Sequence, residues 1–78
     1  MPRFYFHIVD GTDFIEDPDG SELADLDAAR AEALHSARHL LADKVRAGEV
    51  VDGARFEIRN SDGLLLATVM FRDAIRLS

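Results

Sequence analysis

The sequence predicts an α+β domain: a four-stranded, mainly antiparallel sheet in the order strand, strand, helix, strand, strand, with one long helix covering one face. Three observations predict it. Four of the five glycines follow an aspartate (Asp10-Gly11, Asp19-Gly20, Asp52-Gly53, Asp62-Gly63), and Asp-Gly favours tight turns because glycine accepts positive φ while the aspartate bonds nearby amides. Segments at both ends of the chain alternate with the period of a strand. A central segment, residues 25 to 48, repeats its apolar positions at the period of a helix.

In RFYFHIV (3 to 9), Phe4, Phe6 and Ile8 share one strand face, and Tyr5, His7 and Val9 the other. After the Asp10-Gly11-Thr12 turn, DFIE (13 to 16) returns antiparallel, and Pro18, lacking an amide hydrogen, is expected to stop the pairing. In the helical segment Asp25 is the expected N-cap, Asp27 lies in the first turn, Arg46 in the last, and Gly48 just beyond. Leu26, Ala29, Ala33, Leu34, Ala37, Leu40, Leu41 and Val45 fall on one side of it, with Glu32, His35, His39, Asp43 and Arg46 opposite. ARFEIRN (54 to 60) and LLLATVMF (64 to 71) form a second hairpin about Asn60-Ser61-Asp62-Gly63. The tail RDAIRLS (72 to 78) reads as a short helical turn or a frayed end.

A chain of 78 residues is a single small domain, residues 1–78, whose core is thin for its surface. With no cysteine, neither a disulfide nor a thiolate metal site can brace it, which leaves assembly as the remaining support. One helix cannot cover both faces of a sheet, so an apolar surface bearing Tyr5, His7 and Val9 is expected to pair two copies into a homodimer.

Charge is unevenly spread. Residues 1 to 27 hold eight acids against Arg3, and residues 28 to 78 hold seven acids against eight bases, giving the overall −6. That acidic first third repels a phosphate backbone, and no basic stripe offsets it, so a nucleic-acid partner is excluded. No apolar run approaches the ~20 residues that cross a bilayer, and the opening lacks a secretory signal, which leaves no membrane partner and a cytoplasmic expectation. The acidic stretch with Asp10, Asp13, Glu16, Asp17, Asp19 and Glu22 is the expected docking surface for a basic protein partner.

Chemical motifs are sparse. Aligning Gly20 to the glycine of a calcium loop puts Asp17 and Asp19 in ligand positions, but Ile15 and Leu26 then replace the first acid and the bidentate carboxylate. Asn60 to Gly63 fails in the same way, with Ile58 first and Val69 last. His35 and His39 are one helical turn apart beside Glu32 and Asp43, which makes them the metal-ligand candidates, and a metal-dependent hydrolase on that face is a third reading of the chain. Ser36 stands where a zinc hydrolase carries its glutamate base, however, and no nucleophile elbow or phosphate-cradling glycine loop is present. No cofactor and no enzymatic activity are expected. His7, mid-strand, reads as a histidine satisfied by a neighbouring group on the open face.

Pro2-Arg3-Phe4-Tyr5-Phe6-His7, Asp10-Gly11, Asp19-Gly20, Glu22-Leu23, Asp25-Leu26, Ala28 to Ala33, Asp62-Gly63 and Leu66 to Val69 together resemble a family of small bacterial proteins of unknown function. That resemblance implies the domain limits and assigns no catalytic residue. Phe14 to Ala33 is also similar to the antitoxin half of HicAB-type pairs, with a hairpin, an acidic Pro-containing loop and an alanine-rich helix in the same order. This second likeness implies an inhibitor that covers a basic toxin with residues 10 to 27.

Overall fold

The computed structural model describes residues 1–46 and 53–74, except for the side chains of Leu41 and of residues 43–46. Five strands form one sheet: β1 (Arg3–Asp10), β2 (Asp13–Ile15), β3 (Ser21–Glu22), β4 (Arg55–Arg59) and β5 (Leu65–Met70). Among the described residues one long helix, α1 (Leu26–Arg46), lies between β3 and β4, and a 3-10 turn, Phe71–Ala74, follows β5. The class is α+β as expected, but the order is three strands, helix, two strands, because pairing resumes after Pro18. Arg3 pairs with Glu22 and Phe4 with Ser21, while Ile8 pairs with Ile15 and Val9 with Phe14. Thus β2 and β3 are two pieces of one return strand along the same edge of β1, interrupted at residues 16 to 20.

The sheet order is β2-β1-β4-β5, with β3 beside β2 on β1, and every pairing is antiparallel. Since β3 and β4 both run against β1, they run parallel to each other, and a parallel return needs a crossover, which α1 supplies. Asp25 caps that helix: its Oδ1 accepts from Ala28 N–H at 2.8 Å and its carbonyl from Ala29 N–H at 3.1 Å. Gly48, Asp52 and the last four residues of the tail lie outside the described residues.

Phe4, Phe6 and Ile8 face α1, as do their partners Phe56 and Ile58 and, on β5, Ala67 and Val69. Ala29, Ala33 and Ala37 are fully buried, so the helix backbone lies close against the sheet. The shortest dimension of the molecule is 16 Å, the depth of one helix layer on one sheet. Phe71 and Ile58 are the largest fully buried side chains, and the 3-10 turn closes the end of the core, held by Phe71 N–H to the Ala54 carbonyl (3.0 Å) and Arg38 Nε–H to the Ala74 carbonyl (3.3 Å).

The opposite face corrects the expectation of an apolar patch. Tyr5, His7 and Val9 do lie there, but β4 runs Arg55, Glu57 and Arg59 down its middle, paired with one another at 3.5 and 3.0 Å. Apolar contributions come from the flanks: Tyr5 and Val9 on β1, Phe14 on β2 and Met70 on β5. At the far end a register shift between Ile58 and Arg59 pairs Arg59 with Leu65 and Ile58 with Ala67, leaving Leu66 as a bulge in an exposed Leu64–Leu66 run.

Candidate functional site

The acidic segment is built round the interruption in the return strand. Where β2 stops, Phe6 N–H and the His7 ring face residues that have left the ladder, and a part-buried amide without a partner costs about 1–3 kcal/mol. Asp17 fills the gap from both directions. Its Oδ2 accepts from Phe6 N–H (3.1 Å), its Oδ1 from Asp19 and Gly20 N–H (3.3 and 3.1 Å), and its own N–H donates to His7 Nδ1 (3.0 Å). An Nδ1 that accepts leaves Nε2 to carry the ring proton. His7 is only 9% exposed, stacked on Tyr5 at 6.3 Å and tilted against Phe14 at 5.5 Å.

The bulge turns back at Gly20, whose φ is +69° and where a Cβ would stand 2.9 Å from Tyr5 Cε2 and 3.0 Å from the Phe4 carbonyl oxygen. Only glycine fits both the left-handed backbone and that approach. Arg3 closes the segment, donating to the Asp19 carbonyl at 2.7 Å and pairing with Glu22 at 3.2 Å.

The six acids therefore have different tasks. Asp17 is committed to the turn and Glu22 to Arg3, whereas Asp13, Glu16 and Asp19 are exposed. Asp10 stands directly across from Asp13 at the hairpin turn. The alignment of Gly20 to a calcium loop finds no support in the structure either, since the Asp17 carboxylate is turned to backbone amides. At the second hairpin, Asn60 Oδ1 likewise accepts from Asp62 and Leu64 N–H (2.9 and 3.0 Å), a plain turn.

Because α1 packs mainly on the 3-10 turn, β5 and β4, the described residues leave the β1–β2 half of the inner sheet face as a trough, which sequence periodicity gave no means of seeing. One cavity of ≈ 430 Å³ has Phe6, Ile8, Phe56 and Leu40 as its apolar wall, with Asp17 and Glu32 among its polar lining. A second, of ≈ 260 Å³, shares Ile8 and Leu40 and runs out to Ile15, Asp10 and Asp13. Among the described residues neither cavity is lined by a lysine or arginine.

On the helix, His35 and His39 are both exposed with rings 4.7 Å apart. Among the described residues no third His, Cys, Asp or Glu joins them in a group able to hold a metal, and the Asp43 side chain lies outside those residues. No described helix is long and apolar enough to cross a membrane.

Fold and site together define a small two-layer α+β domain with one helix on an antiparallel sheet and an acidic, interrupted edge. The chain belongs to the family described as Domain of unknown function (DUF6894), whose model matches residues 3–72. No curated protein and no solved structure matches it.

Proposed function

We propose that this domain is a non-enzymatic protein-interaction module that docks a basic protein partner on its acidic edge, residues 10 to 22. The observation that carries this reading is the exposure of Asp13, Glu16 and Asp19 on a segment whose neighbouring base, Arg3, is already occupied by Glu22. Their field is left to act outward, and exposed charges of one sign steer an oppositely charged partner and raise its association rate. Asp17 serves this surface indirectly, by holding the turn that presents the others.

An inhibitor of one basic toxin-like protein is a second reading of the same edge, favoured by the succession of β1–β2 hairpin, Pro18-containing acidic turn and alanine-faced α1. The two differ in whether one stoichiometric partner accounts for all binding. The test compares partners retained from cell lysate by the wild type and by the Asp13→Lys, Glu16→Lys double variant. Basic proteins held by the wild type at low salt should be lost from the variant and released as salt shortens the screening length to below about 8 Å. An identical retained set for both baits removes the acidic edge from the mechanism.

A further inference from the structure

We propose that the trough beside α1 is a seat for one basic amphipathic helix of a partner protein. This rests on the acidic-edge reading above and specifies what docks there. The sheet path is four strands wide, about 19 Å at ~4.8 Å per strand, whereas a helix with its side chains is only about 10–12 Å across. Two helices side by side cover such a face, and the described residues supply one, placed over β4, β5 and the 3-10 turn. Among the described residues this leaves about 7–9 Å of the sheet's width uncovered, enough for the apolar face of one further helix to settle against it. The trough floor is apolar (Phe6, Ile8, Phe56) and contiguous across both cavities through Ile8 and Leu40, and Ile15 is left 58% exposed at the outer edge.

Charge decides what kind of helix. Asp10, Asp13 and Asp17 lie along the β1–β2 side of the trough and Glu32 on the α1 side. The amides that bond Asp17 satisfy its oxygens without cancelling its charge. An apolar stripe flanked by Lys or Arg matches a floor and rim of this composition, the usual helix-in-groove mode of recognition. A second copy of this chain would bring the same carboxylates against themselves and is disfavoured. β1 extends ~26 Å, which a helix of about 17 residues spans at 1.5 Å per residue.

The full chain is titrated by fluorescence anisotropy with a labelled peptide of about 18 residues made of Leu and Lys, with Leu at i, i+3, i+4 and i+7. The control is a permuted peptide of the same composition with no stripe. The ordered peptide should bind about tenfold or more tightly than the permuted one. It should be weakened by salt and by Asp13→Lys, and lose about tenfold for Ile15→Glu and for Ser36→Lys, which fills the larger cavity from α1. Thr68→Glu, on the opposite face, should change nothing. Salt-sensitive binding of both peptides that ignores Ile15→Glu and Ser36→Lys overturns the trough and leaves the acidic edge standing. Stripe-dependent binding that ignores salt and Asp13→Lys overturns the acidic edge and, with it, the basic helix. A wild-type mass of two chains that falls to one in Ile15→Glu would mean that a second copy fills the trough, which also overturns the proposal.

Discussion

Asp17 is the residue on which the acidic segment depends, because before it can lend charge to the trough it replaces a missing strand. Its carboxylate accepts from three amides, and its own amide donates to His7. Asp17→Ala should therefore destabilise the fold by about 1–3 kcal/mol, chiefly through the orphaned Phe6 N–H. In a domain of this size that lowers the melting temperature by roughly 4–8 °C per kcal/mol. Asp13→Lys, at an exposed position, should leave the melting temperature nearly unchanged. Equal melting of the two variants would show that the bulge is held by something other than this carboxylate. An Asp before Pro in an acidic run announces a turn. Which strand amides it will serve depends on residues ten and eleven positions away, and no local pattern carries that.

At the scale of elements, the helix was the most legible part of the chain, since capping by Asp25 and the burial of Ala29, Ala33 and Ala37 both follow from local spacing. Small residues in that stripe let α1 approach the sheet, so Ala33→Leu forces three extra carbons into a fully buried contact. We expect a cost of about 1–3 kcal/mol by urea unfolding, and a neutral result would mean that the helix stands further off than the fold indicates. The two-residue β3 was missed because Pro18 rightly signals the end of β2 but says nothing of pairing three residues later. On β5, parity alone puts Leu65, Ala67 and Val69 on one face and Leu64, Leu66, Thr68 and Met70 on the other. The bulge at Leu66 resets the register there, while Ala67 and Val69 keep their inward side.

For the whole molecule, the homodimer through Tyr5, His7 and Val9 stands as a proposal on altered ground. His7 is buried beneath its neighbours and the centre of the face is the Arg55–Glu57–Arg59 column, so pairing would join apolar flanks across a polar middle. These pairs are already half-buried, the Glu57 side chain being 16% exposed, and burying them further demands matched partners from the second copy. Light scattering at micromolar concentration should give a mass near twice 8.7 kDa for the wild type and near one chain for Val9→Lys. A wild-type monomer removes the dimer without touching the acidic edge or the trough, which lie elsewhere on the molecule.

The sequence by itself determined the α+β class, the positions of both hairpin turns, the buried stripe of α1 and the acidic excess of the first third. All of these are encoded within a few residues, by periodicity, capping and turn chemistry. Tertiary structure alone decided that β1 sits between β2 and β4, that its Phe4, Phe6 and Ile8 face turns inward, and that Asp17 bridges the broken edge. It alone left the β1–β2 half of the inner face uncovered by the described residues. Both faces of β1 are largely apolar, so its own residues cannot choose between them. The choice is made by β4, whose strict alternation of Phe56 and Ile58 with Arg55, Glu57 and Arg59 admits only one side to the core, and which imposes that side on β1 through pairings some fifty residues apart in the chain.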